Sequence, residues 1–188
     1  MLGGYCTISD IVPFHARQDL GAEAWDNDAE DAFRTAARAL VRVNQMDSLY
    51  SKEVIRTNRI GVGITGLHEY AWARFGHAWK DLVDEQKSLD FWQMLSRFSN
   101  AVVDEGVKYS EYLGLSVPHT STTMKPAGTT SKLFGLTEGA HLPSMREYLR
   151  WVQFRNDDPL IKEYEDKDKT ETEKLQERAK TAEERAAT

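Results

Sequence analysis

A chain of 188 residues with 40% hydrophobic and 29% charged side chains can bury one sizeable core, and it contains no apolar run of about 18 residues that would span a bilayer. The formal charge of −6 argues against a broad nucleic-acid footprint, and the opening MLGGYCTISD lacks the basic and apolar regions of an export signal, so the cytoplasm is the expected location. A single cysteine, Cys6, excludes an internal disulfide and any cysteine-rich zinc site; whatever it pairs with lies on another chain.

Residues 3 to 14, GGYCTISDIVPF, mix β-branched and aromatic residues with turn formers and stop at Pro13, which predicts a strand carrying Cys6. Phe33, Ala36, Ala37, Leu40, Val41 and Val43 fall near helical spacing, which predicts a helix capped by Asp26 or Asn27 and running to about Leu49. Leu67, Tyr70, Ala71 and Phe75 predict a short helix stopped by Gly76. A long helix follows, with Leu89, Trp92, Leu95, Ser96, Ser99, Val102 and Val103 as its mostly apolar stripe, ending near Gly114. From Lys162 onward charges of both signs dominate, and only Tyr164 and Leu175 are large and apolar, which predicts a solvated, frayed helical tail. Within it Glu173 and Glu177, and Lys174 and Arg178, are like-charged pairs that weaken an isolated helix.

Two glycine-rich stretches carry candidate chemistry. Gly61, Gly63 and Gly66 have the G-x-G-x-x-G spacing of a dinucleotide fingerprint, which needs a buried strand before the first glycine. The preceding SKEVIRTNRI is mostly polar, and the acids that could hold a ribose, Asp84 and Glu85, lie in an acid-rich stretch. Close packing of a strand and a helix accounts for the glycines better.

The second stretch is TTMKPAGTTSKLFGLTEGAHLP, from Thr122 to Pro143. Pro126 fixes the entry, Ala127 and Gly128 keep side chains away, and Thr129, Thr130 and Ser131 place hydroxyls where a short helix begins. Unpaired amides at such a start, with Lys125 and Lys132 beside them, suit a phosphate. An ordinary Ser/Thr-capped helix after a proline turn is the other reading, and the Walker spacing is absent. His15, His68, His77, His119 and His141 show no metal-ligand spacing, and no metal site is expected.

Three segments taken together resemble one family. GGYCTISDIVPFHA, NRIGVGITGLHEY and KPAGTTSKLFGLTEGAHLPSMREYLRWVQFRNDDPLI are similar to the adenosylcobalamin-dependent (class II) ribonucleotide reductases, most closely the monomeric ribonucleoside-triphosphate type. The resemblance covers residues 1–161 as the C-terminal part of the catalytic barrel, and it fails in the charged tail, 162–188. It implies an α/β fold, part of a ten-stranded barrel that is helix-rich here, and an adenosylcobalamin cofactor whose contacts cannot be assigned residue by residue. It implies that Pro126, Ala127, Gly128, Thr129, Thr130 and Ser131 hold the phosphates of a ribonucleoside triphosphate, and that Gly61 to Gly66 is a strand-to-helix passage of the barrel.

The family's radical cysteine sits in an Asn-x-Cys-x-Glu pattern, whereas the neighbours of Cys6 are Gly4 and Ile8. Cys6 matches instead one of the redox pair that reduces the substrate. The radical cysteine, the second thiol of the pair and the tail cysteines that exchange with a thioredoxin-type reductant have no counterpart here. The expectation is therefore a piece of a split or truncated reductase, active only with an N-terminal reductase chain. Its rivals are an inactive remnant or interaction module of the same fold, and a dinucleotide-dependent oxidoreductase using Gly61 to Gly66.

Overall fold

A computed structural model describes residues 5–47, 49–141, 153 and 155–170. The chain divides into two compact units, Met1–Ser144 and Met145–Thr188.

The first unit is built on parallel strands covered on one face by helices. Strand β1 (Thr7–Ile11) pairs in parallel with β2 (Ile60–Ile64), with Thr7 opposite Ile60 and Ile11 opposite Ile64. Residues 120–123 extend the sheet on the far side of β2: Val62 bridges Thr122, the amides of Ile60 and Val62 donate to Thr120 O and Ser121 O, and Thr123 N donates to Val62 O. Between the strands run α1 (Ala22–Val43) and the short α2 (Ser51–Thr57). After β2 come α3 (Leu67–Tyr70), a π-helical turn over Ala71–Phe75, α4 (Trp79–Leu82) and α5 (Leu89–Tyr112); α6 (Gly128–Phe134) follows the third strand segment. The described residues of the first unit thus form a helix-rich α/β arrangement around a small parallel sheet.

Strand alternation divides the residues between two faces. Ile60, Val62 and Ile64 join Phe33, Ala37, Leu40 and Val41 of α1 and Phe98 and Val102 of α5 in the core. Phe33 and Phe98 stack with ring centroids 4.8 Å apart. Beneath them Tyr70, fully buried, donates its hydroxyl to Asp26, which also receives two bonds from Arg74.

Several expected boundaries shift. Helix α1 starts at Ala22, a turn before the expected cap, because Gly21 with φ +92° occupies the cap position and Asp26 is spent on Tyr70 and Arg74. It ends at Val43, short of Leu49, because the Asn44 side chain is recruited to bind Asn58 Oδ1 and Arg59 O. The expected strand over residues 3–14 is regular only from Thr7 to Ile11, and Gly3 and Gly4 lie outside the described residues.

The buried stripe of α5 is Phe91, Phe98, Ala101, Val102, Glu105 and Gly106. Leu89, Trp92 and Val103, expected on it, are exposed. The Trp92 ring sits at the surface with its indole N–H donating to Ser88 Oγ, and Glu105 occupies a buried position because Arg34 and Arg38 neutralise it. The helix ends as expected at Gly114, which is left-handed at φ +69°.

In the second unit the described residues form a helix over 159–170, opened by Pro159 behind Asp158, whose carboxylate accepts the Leu160 amide. Its side chains are mostly exposed, and Lys167 pairs with Glu163 one turn back. The change of composition at Lys162 falls inside this helix. The like-charged pairs at 173–178 lie outside the described residues, as do 142–152 of the third family-like segment.

Candidate functional site

The face of the sheet opposite the helices carries the candidate site. Cys6, Ile8 and Asp10 alternate along it, and β2 answers with Gly61 and Gly63 in register with Ile8 and Asp10. None of the three side chains joins the core, and Cys6 and Ile8 are exposed. The two glycines form a floor over which their neighbours lean. A Cβ on Gly61 would stand 2.8 Å from Ile8 Cγ2, 3.0 Å from Thr123 Cγ2 and 3.1 Å from Cys6 Sγ. A Cβ on Gly63 would stand 2.4 Å from Asp10 Oδ1.

This geometry removes the dinucleotide reading. Gly61 and Gly63 lie inside β2, where the chain is already committed to the sheet, and the turn before α3 falls at Gly66, with φ +73°. The fingerprint requires the strand to end before the first glycine. Asp84, one of the acids that might have served a ribose, instead accepts the amides of Gln86 and Lys87 in a local turn. The strand-to-helix passage expected from the resemblance is present: β2 runs through Ile64, and α3 begins at Leu67.

The thiol of Cys6, at the N-terminal end of this face, has Thr120 Oγ1 at 4.0 Å and donates weakly to Thr7 O at 3.7 Å. At the C-terminal end, Lys125 reaches back from the third strand segment, its ammonium 2.6 Å from Asp10 Oδ2. Asp10 lies four residues beyond Cys6, or about 13 Å along an extended chain.

Directly after Lys125 come Pro126 to Ser131. Ala127 is buried, and its carbonyl accepts the Ser131 amide to open α6. No side chain caps that first turn, so the ordinary Ser/Thr-capped helix is not what forms here. The amides at its start lack intrahelical acceptors. Gly128 has open space where a Cβ would stand, and Thr129 and Thr130 are exposed. Ser131 differs from Thr129 and Thr130, being fully buried with its hydroxyl turned onto Gly128 O. Both lysines read as adding positive charge are already engaged, Lys125 by Asp10 and Lys132 by Glu138 at 2.9 Å.

Asp10 was not among the residues singled out from the sequence, although its period-2 spacing from Cys6 places it on the same face. Thr65 donates to the same carboxylate oxygen at 3.2 Å. The return segment after α6 is tied down by Glu69, which accepts both the amide and the hydroxyl of Thr137, and Gly66 N donates to Thr137 O.

Comparison with known proteins supports the resemblance. Over 175 residues the chain is 29% identical to a protein of Lactobacillus gasseri and 30% identical to one of Lactobacillus helveticus; over 178 residues it is 28% identical to one of Lactobacillus leichmannii. Each alignment covers 85% of this chain. All three relatives are adenosylcobalamin-dependent ribonucleoside-triphosphate reductases. The chain spans 23% of the length of these reductases. No protein-family model and no solved structure matches it.

A hollow of about 340 Å³ lies between the sheet and α5, walled by Phe33, Val62, Leu95, Phe98 and Val102. That volume is at the low end for a drug-sized ligand, and its apolar walls belong to the side of the sheet opposite Cys6. Among the described residues no helix is long and apolar enough to cross a membrane.

Proposed function

We propose that this chain supplies the substrate-phosphate segment and one redox cysteine of an adenosylcobalamin-dependent ribonucleoside-triphosphate reductase. The observation that carries the reading is the shared helix-free face: Cys6 stands at one end of it, and the chain leading into the uncapped turn at Pro126 to Ser131 is anchored at the other. A ribonucleoside triphosphate with its ribose near Cys6 and its phosphates on the amides of Gly128 to Thr130 follows the length of that face. The backbone supplies the donors, Thr129 and Thr130 add hydroxyls, and Gly128 leaves room for close approach.

The reduction replaces the 2′ hydroxyl of the ribose by hydrogen and releases water, drawing two electrons and two protons from a pair of thiols that become a disulfide. Cys6 is one of these thiols. With one cysteine in the chain, the other thiol and the radical-bearing cysteine come from polypeptide beyond these residues, an N-terminal reductase chain, and a thioredoxin-type reductant restores the pair. Adenosylcobalamin would supply the radical when bound, and no residue of this chain is assigned to hold it.

Titration with GTP, followed through the backbone amide resonances, tests the phosphate assignment. Shifts confined to residues 127–131 and retained in Cys6→Ala are expected. Saturating GTP without change at these amides would contradict it.

A further inference from the structure

The ion pair between Asp10 and Lys125 joins the strand of Cys6 to the stem of the phosphate segment, and it is built with care. The Asp10 side chain is 6% exposed and that of Lys125 28%. Oδ2 receives both the ammonium, at 2.6 Å, and the Thr65 hydroxyl, at 3.2 Å. Oδ1 is buried with no hydrogen-bond partner and packs onto Gly63, where any side chain would collide with it. A carboxylate so enclosed depends on Lys125 for its charge balance. Gly139, left-handed at φ +55°, packs close to the Lys125 main chain, where a Cβ would fall 2.5 Å from Lys125 O.

We propose that Asp10 is a positioning residue for the phosphate segment: by pinning the Lys125 ammonium to the sheet it fixes the chain entering Pro126, and it withholds that ammonium from direct contact with the phosphates. The amides of Gly128 to Thr130 then form the anion site, with the lysine next to them acting as a clasp. The proposal rests on the phosphate reading for its purpose, but the clasp itself is measurable without a nucleotide.

Two measurements on the full chain separate the possibilities, using Asp10→Asn, which keeps the volume and removes the charge, Lys125→Gln, the double variant, and Lys125→Arg as the conservative rescue. Hydrogen exchange of the bonded α6 amides, from Ser131 on Ala127 O to Leu136 on Ser131 O, is expected without ligand to accelerate about tenfold in either single variant, to be no faster in the double variant, and to stay near wild type in Lys125→Arg. Exchange in α5 between Phe98 and Glu105 is expected to be unchanged, which also verifies folding. GTP affinity is expected to fall by a similar factor in both single variants. Unchanged exchange at 131–136 overturns the clasp, as does tighter GTP binding by Asp10→Asn alongside lost binding by Lys125→Gln, which would make Lys125 a direct phosphate ligand. Should wild type bind no GTP, the phosphate reading falls, and the exchange rates still decide the clasp.

Discussion

The sulfur of Cys6 lies 3.1 Å from the point where a Cβ on Gly61 would stand, so the thiol rests on a strand that has no side chain beneath it. The neighbouring position is tighter, since a Cβ on Gly63 meets Asp10 Oδ1 at 2.4 Å and Thr123 O at 3.3 Å. Gly61→Ala displaces flexible side-chain ends and is expected to cost about 1 kcal/mol, whereas Gly63→Ala presses on a clamped carboxylate and backbone and is expected to cost about 3 kcal/mol. Urea unfolding at matched m-values reads the difference, and a reversed order would contradict this packing.

The exposed thiol is expected to react with Ellman's reagent in the native chain, releasing one equivalent without denaturant. Its only polar contacts are long, at 3.7 and 4.0 Å, so Cys6→Ser is expected to change stability by no more than about 0.5 kcal/mol. A thiol that titrates only after unfolding would place it in the core.

Burial, followed by the charge and hydrogen bond of Asp26, raises the Tyr70 phenol well above its ordinary value of 10.0. A raised pKa in the folded chain means that the unfolded chain loses its proton first. This contribution is whole below pH 10 and declines as pH rises further. Unfolding free energies between pH 9 and about 11 should fall more steeply in wild type than in Tyr70→Phe, which removes this ionisation. Parallel slopes would show that Tyr70 is not enclosed as described.

Asn58 is a non-glycine residue in the left-handed region, at φ +41°, and is fully buried. It donates to Ser110 Oγ at 2.9 Å and to Ser116 O at 2.7 Å, and accepts from Asn44 at 3.0 Å. Asn58→Ala loses these bonds and keeps a strained backbone; Asn58→Gly loses the same bonds and relieves the strain. The glycine variant is expected to be more stable than the alanine variant by about 1 kcal/mol in chemical denaturation. Equal stabilities would remove the left-handed conformation from the account.

What the sequence disclosed and what it hid follow from the range of each interaction. The strand that follows Cys6, the passage through Gly66 and the stop at Gly114 rest on local backbone rules and were legible, though the strand begins one residue after Cys6. The α5 stripe was not, because Trp92 and Val103 look apolar in isolation while Glu105 earns its buried position only from Arg34 and Arg38 on α1. The short helix start at 126–131 was legible, but the engagement of Lys125 and Lys132 was hidden, since Asp10 lies 115 residues from Lys125 in sequence. Gly61 and Gly63 misdirect when read as a motif and become intelligible only beside Cys6 and Asp10 on the adjacent strand.

The most direct test of the central claim is reduction of a ribonucleoside triphosphate with adenosylcobalamin and a dithiol. This chain would be assayed alone, and mixed with a polypeptide covering the part of its reductase relatives that it does not match. The account predicts deoxyribonucleotide only in the mixture, and none when Cys6→Ser replaces the wild-type chain. Product from the chain alone, or undiminished product in the mixture with Cys6→Ser, would contradict it.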